Sequence, residues 1–216
     1  MRIVVFGPPG SGKGSLAMLL AKDLNIPHIS SGDIFREEIA QQTKLGDKVK
    51  EHVECGQLVP DSTTITRVFA RLALYDCKNG YILDGYPRTR GQAERCSRDK
   101  GIGIDTVVQI VCTEDTVIGR LCGRYTCKTD GTIHNKRWDD ITKCKVCGGE
   151  LFQRVDDTQE TVLKRLEYYN EESNPILDYM GKMEGCTIYK IDSDITESGE
   201  MVYAKFKEKY KDELFS

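Results

Sequence analysis

No stretch of this sequence approaches the ~20 consecutive apolar residues that a membrane-spanning helix needs. No membrane partner is therefore expected. A basic excess is also missing: 31 lysines and arginines face 34 aspartates and glutamates, for a net charge of −3. Without a basic surface the chain lacks the electrostatic footprint of a nucleic-acid binder, so no nucleic acid is expected either. No segment repeats and none is of low complexity, which excludes solenoids and arrays. A leader peptide is not expected, because the chain opens directly on an apolar strand pattern. What remains is a chain of 216 residues, suited to one or two domains with a sizeable core and to a cytoplasmic location.

The organising stretch is residues 1–15. Arg2-Ile3-Val4-Val5-Phe6 is rich in β-branched residues and reads as a strand buried on both faces. It runs into Gly7-Pro8-Pro9-Gly10-Ser11-Gly12-Lys13 and then into a helical pattern led by Leu16, Leu19 and Leu20. Glycines let backbone N–H groups wrap around phosphates, and the helix N-terminus adds free N–H groups and partial positive charge. Lys13 adds a full charge for the β- and γ-phosphates. The bland alternative is a glycine-rich turn without a ligand. The general pattern G-x-x-x-x-G-K-[ST] is missed by one position, because Gly14 follows Lys13 and the hydroxyl comes at Ser15.

Further along, Ile26–Ser30 reads as a short strand, and the Ser30-Ser31-Gly32-Asp33 run as a helix cap. Residues 30–59 are polar and helical in pattern, with a break at Cys55-Gly56. The next helix is expected from about Thr63 to Tyr75. Tyr81-Ile82-Leu83 is a strand ending at Asp84, with Arg88 in the turn after it and Gln92 one helical turn on. Strands are also expected at Thr106–Cys112 and Thr187–Ile191. Helices are expected at Asp115–Leu121 and at Thr158–Met180, the latter bent at Pro175. A last helix carries Val202, Phe206, Tyr210 and Leu214 as a core face. Strand–helix alternation predicts a doubly wound parallel α/β sheet, with ligands at the carboxyl ends of its strands.

Residues 122–157 differ. Apolar periodicity fades, and Asp130-Gly131 reads as a hairpin turn. Of the nine cysteines, Cys55, Cys77, Cys96, Cys112, Cys122 and Cys186 are scattered, and Cys127, Cys144 and Cys147 cluster. A segment this poor in apolar residues needs a staple, and Cys144-x-x-Cys147-Gly148 reads as half of a zinc knuckle with Cys127 as a third thiolate. Asp130 holds the position of a second knuckle cysteine and is favoured as fourth ligand. His134 competes for that role. Three free thiols without metal is the alternative to both.

The loop at 7–15 resembles that of the nucleoside monophosphate kinases, adenylate kinase above all. The resemblance extends to Asp84-Gly85-Tyr86-Pro87-Arg88 with Gln92, to Ser30-Ser31-Gly32-Asp33 with Arg36, and to Arg154-Val155-Asp156-Asp157 with Arg165. It covers essentially the whole chain, and the insert between Arg124 and Arg154 matches the long-lid form, often zinc-bearing. The resemblance implies a P-loop core at 1–29, 60–121 and 158–216. A small helical AMP-binding insert would lie at 30–59 and a small zinc-stapled β lid at 122–157. It implies Mg²⁺-dependent transfer between ATP and AMP to give ADP, by a monomer. ATP would be held by Gly10, Ser11, Gly12, Lys13, Gly14, Ser15, Arg120 and Arg124, with Ile133, His134 and Ile195 nearby. AMP would be held by Ser31, Arg36, Gln57, Leu58, Val59, Gly85, Tyr86, Pro87, Arg88 and Gln92. Arg88, Arg154 and Arg165 would converge on the phosphoryl group, and Asp84 and Ser15 would help position Mg²⁺. The rivals are a kinase for another nucleoside monophosphate, one using GTP, and an idle zinc-binding protein on this scaffold.

Overall fold

The computed structural model describes residues 1–98 and 102–215. Its first half runs β1 (Arg2–Phe6), α1 (Lys13–Leu24), β2 (His28–Ser30), α2 (Ser31–Ala40), α3 (Lys44–Glu54), α4 (Asp61–Leu72), β3 (Tyr81–Asp84) and α5 (Arg90–Arg98). Next come β4 (Thr106–Val111), α6 (Glu114–Leu121), β5 (Arg124–Cys127), β6 (Ile133–Asn135) and β7 (Leu151–Phe152). The chain continues with α7 (Gln159–Met180), β8 (Thr187–Asp192), α8 (Gly199–Lys209) and α9 (Lys211–Leu214).

The strands of the larger sheet stand in the order β2-β3-β1-β4-β8, all parallel. Alternation along β1 explains its two cores. Ile3 and Val5 point to one face and pack with Leu16 and Leu20 of α1 and Phe206 of α8. Val4 and Phe6 point to the other and pack with Val68 of α4, Ala93 of α5 and Ile176 of α7. Each fully buried aliphatic or aromatic side chain contributes roughly 1.5–3 kcal/mol by leaving water. This is the two-sided burial expected of the apolar strand runs.

The helix starts follow local chemistry. Ser30, Thr43, Thr113, Thr158 and Ser198 each accept a backbone N–H from the first turn of the helix they precede. The α2–α3 pair closes over its own small core of Phe35, Val49 and Val59. The smaller sheet, in the order β6-β5-β7, is antiparallel. Gly131 turns β5 into β6 with φ +72°, as the Asp-Gly pair predicts.

Two expectations are corrected. The last helix does not run through Tyr210. It breaks there into α8 and α9, because the Tyr210 hydroxyl bridges both backbone groups of Lys190 on β8, accepting from N–H at 3.1 Å and donating to the carbonyl at 2.7 Å. Helix α4 spans Asp61–Leu72 rather than about 63–75, and a short 3₁₀ turn at Tyr75–Cys77 follows it. Pro175 lies inside α7, whose helical span continues past it.

The α2–α3 crossing depends on one missing side chain. A Cβ at Gly46 would sit 2.2 Å from the carbonyl oxygen of Glu38, in backbone that cannot step aside. Gly46→Ala is therefore expected to destabilise the protein by about 1–3 kcal/mol through overpacking. Urea unfolding checks this; an unchanged midpoint would refute the close approach.

Candidate functional site

The carboxyl ends of β1, β2 and β3 meet at one edge of the sheet, and the glycine loop stands over them. Gly10 and Gly12 have φ of +75° and +96°, a left-handed backbone that a side chain would strain. Gly12 caps α1, so the loop delivers its N–H groups at a helix N-terminus. The Lys13 ammonium folds back to donate to the Pro8 carbonyl at 2.7 Å. Displaced water pulls its pKa down to about 8, with Asp84 opposing and Arg88 and Arg165 reinforcing that shift. Gly14, where the chain departs from the general pattern, lies against Asp84: a Cβ there would stand 3.4 Å from Oδ2, an ordinary contact. Ser11 is fully buried and its hydroxyl has no protein partner, leaving a donor for a ligand in the loop.

Asp84 ends β3, beside Ser30 of β2 and Val5 of β1. Burial pushes its carboxyl up, but a contact with His28 at 3.4 Å and the charge of Lys13 outweigh this and hold it below the usual range. An ionised carboxylate at the loop's edge is the donor a magnesium–phosphate group takes.

Arginines converge from three parts of the chain. Arg88 follows β3 and donates from Nε to the Gly85 carbonyl at 2.8 Å. Arg165, on α7, pairs with Asp156 at 2.9 Å. Arg124, at the start of β5, grips both oxygens of the buried Asp157. Arg154 donates to Thr126 at 3.1 Å and lies 3.9 Å from Asp33, which also holds Arg36. Burial and neighbouring guanidinium groups lower Arg154 to about 10, and burial followed by Arg124 and Arg88 does the same to Arg165 despite Asp156.

Two clefts flank this cluster. One is bounded by Lys13, Arg88 and Arg165. The other lies under α2 and is lined by Ser31, Arg36, Gln57, Leu58, Val59 and Gln92, among others. Ser31 donates to the Gly85 carbonyl at 2.6 Å, tying the second cleft to the turn after β3. Tyr86 is 1% exposed and belongs to the core, so only its backbone is available to a ligand; Pro87 follows it through a cis peptide. Ile133 of β6 lies over the glycine loop, its Cδ1 3.8 Å from where a Gly14 Cβ would stand, and Ile195 packs against Gly119 of α6.

Arg120 and His134 are both buried and held by protein partners. Arg120 is buried as a strut. It donates to the Ser11 carbonyl at 2.9 Å, to Ser193 Oγ at 3.0 Å and to the Asp194 and Glu197 carbonyls, so it braces the glycine loop from behind. The His134 side chain is packed within the small sheet. It is 1% exposed, with Nε2 3.3 Å from Cys144 Sγ and Nδ1 3.7 Å from Asp139. Short on apolar partners, the small sheet takes the imidazole as core. Sequence reading also left Asp156, Asp157 and Asp33 without roles. Their acidic placement among arginines was visible, but which pairs form is a matter of tertiary structure.

The donor atoms of Cys127, Asp130, Cys144 and Cys147 all lie within 4.8 Å of one another. Tetrahedral zinc with ~2.3 Å bonds to sulfur separates its ligand atoms by about 3.8 Å. The Cys127 and Cys147 sulfurs are 3.4 Å apart, and Cys144 Sγ is 3.6 Å from Asp130 Oδ2. Backbone N–H groups of Thr129 and Val146 point at Cys127 and Cys144, which favours thiolates. These residues fit a structural zinc ion, with Asp130 in the fourth place and His134 touching one ligand only.

A parallel sheet, a glycine–lysine loop and arginines between two clefts define a P-loop nucleoside monophosphate kinase. Comparison with protein families matches residues 5–184 to adenylate kinase. Adenylate kinase of Clostridioides difficile (strain 630) is 44% identical over 188 residues, covering 84% of this chain and 87% of that one. Adenylate kinase of Streptomyces avermitilis is 46% identical over 186 residues, covering 83% and 84%. That of Caldicellulosiruptor bescii is 45% identical over 185 residues, covering 83% and 86%. The chain belongs to the adenylate kinase family.

Protein purified without chelator is expected to carry about one zinc per chain by atomic emission. Chelation should lower the melting temperature while the parallel sheet persists, since that sheet has its own apolar core. Asp130→Ala should weaken zinc binding more than His134→Ala; the reverse order would move the fourth ligand to His134.

Proposed function

We propose that this protein catalyses the reversible, Mg²⁺-dependent transfer of a phosphoryl group from ATP to AMP, giving two ADP. Family membership supports the reaction, and one observation carries its placement here: Lys13, Arg88 and Arg165 border the same cleft, between the glycine loop and the pocket under α2. ATP would lie with its phosphates in the loop Gly10–Ser15, under Arg124 and Ile133. AMP would occupy the pocket under α2, its phosphate against Arg36 and Arg88.

Phosphoryl transfer passes through a loose transition state that spreads negative charge over several oxygens. The protein therefore mainly positions and neutralises. Lys13 bridges the donor phosphates. Arg88, Arg154 and Arg165 grip the moving group, because a planar guanidinium holds two oxygens at once and keeps its charge. Magnesium, held near Asp84 and Ser15, would neutralise the β- and γ-oxygens. No protein nucleophile is required. Arg120, proposed beside ATP, also holds the loop from behind.

Water must be shut out before transfer, or ATP is hydrolysed. In this reading residues 30–59 and 122–157 close over a core made of 1–29, 60–121 and 158–216. Arg154 near Asp33 is the point where the two closing segments meet. No helix among the described residues is long and apolar enough to cross a membrane. A monomer acting in the cytoplasm is the state proposed for it.

A coupled assay of ADP formation with ATP and AMP, CMP, UMP or GMP tests the reaction; no turnover of AMP would refute it. Arg88→Ala is expected to lower kcat by about 10³-fold. An effect confined to the KM for ATP would place Arg88 on the wrong side.

The Lys13 charge gives a pH dependence of known sign. Its pKa of about 8 means that the ammonium is present below that value and lost above it. Bound phosphates favour the charged form, so ATP affinity should fall as pH rises from about 8. Calorimetric titration from pH 7 to 10 reads this out, and Lys13→Met should bind weakly with no such slope.

A further inference from the structure

The two ends of a glutamine amide have nearly the same shape and opposite hydrogen-bonding character. A glutamine free to turn over could serve adenine and a 6-keto purine equally. Gln92, one turn into the element after Arg88, is 1% exposed and borders the cleft under α2. Its amide is not free. Oε1 accepts the backbone N–H of Arg88 at 2.8 Å, and a backbone N–H can only donate, so the oxygen must face it. Nε2 donates to Asp61 Oδ1 at 2.7 Å. The other Asp61 oxygen accepts from the Thr89 hydroxyl at 2.7 Å, and that hydroxyl in turn accepts the Gln92 backbone N–H at 3.1 Å. Asp61 is the first residue of α4, where the free N–H groups of the helix favour a carboxylate.

We infer that Asp61 determines the choice of acceptor base, by fixing which way round the Gln92 amide stands. The inference rests on the reading above that the acceptor's base lies in the cleft under α2. With both internal bonds made, Gln92 keeps one N–H and one oxygen lone pair for a ligand. The Watson–Crick edge of adenine offers N1 as acceptor beside an N6–H donor, which complements this pair. A 6-keto purine offers an N1–H donor beside an O6 acceptor. To meet it the amide would have to turn over, setting NH₂ against the Arg88 N–H and oxygen against the Asp61 carboxylate. Two buried bonds would be lost and two repulsive contacts made. Asp61 is thus a positioning residue. It acts through Gln92 and does not itself touch the base.

The test is the ratio of kcat/KM for AMP to that for IMP, whose base is a 6-keto purine, with ATP as donor. Asp61→Ala is expected to lower this ratio about tenfold or more, chiefly through KM. Asp61→Asn, whose amide oxygen can still accept from Gln92, should restore most of it. Thr89→Val removes the hydroxyl that steadies Asp61 and should shift the ratio in the same direction, which keeps the test valid if Asp61→Ala does not fold. Folded variants with equal losses on both substrates and an unchanged ratio would give Asp61 a structural role only and overturn the inference. Gln92→Ala distinguishes the two levels. If it lowers the ratio while Asp61→Ala and Thr89→Val do not, base reading by Gln92 stands and the role of Asp61 falls. If it too leaves the ratio unchanged, the base does not lie against Gln92, and the inference falls with that placement.

Discussion

Like charges held close together are the constraint on which this structure depends. Lys13, Arg88 and Arg165 repel one another across one cleft, and Arg36, Arg124 and Arg154 crowd it from the sides. In a half-buried site such repulsion is little screened. The fold answers it with carboxylates set behind the cations: Asp156 on Arg165, Asp157 on Arg124, Asp33 on Arg36 and Asp84 beside Lys13. The pairing is incomplete, since cations outnumber acids. What is left over is a standing positive field that phosphates neutralise, so binding relieves a strain that folding leaves in place.

The same tension explains the rigid backing of the site. Arg120 ties the glycine loop to the segment before α8, and the close approach of α8 to the loop leaves no room for a Cβ at Gly199, which would lie 2.3 Å from that of Ser15. The parallel sheet supplies the platform, and its two apolar faces supply the stability. The cationic residues are largely buried, but outside the two apolar cores that flank that sheet.

Much of this was legible in the sequence, because the determinants are local. The β-branched run of β1, the glycine loop, the Ser30 cap and the Asp130-Gly131 turn each carry their conformation within a few residues. The parallel α/β sheet and the metal-ligand cluster follow from such signals. What could not be read depends on partners far along the chain. Tyr210 breaks its helix for the sake of Lys190. His134 fills a core that its own segment lacks, and Arg120 becomes a strut because Ser193 and Glu197 arrive beside it. Gln92 was recognisable as an amide near the acceptor pocket, but its orientation is set by Asp61, 31 positions earlier.

The strand order has a consequence for how the chain is made. After β4 the polypeptide leaves the large sheet and builds α6, the small antiparallel sheet and α7. Only then does it return to pair Thr187 with Thr106. On a ribosome, the outer edge of β4 is therefore exposed while the whole intervening excursion is synthesised. The β5–β6 pair, joined by a short turn, needs little loop closure, whereas the large sheet waits for a long loop to close. An unpaired parallel edge is the part of a nascent chain most open to joining a neighbour's strand. The last strand to emerge is thus also the one that protects the growing protein from aggregation.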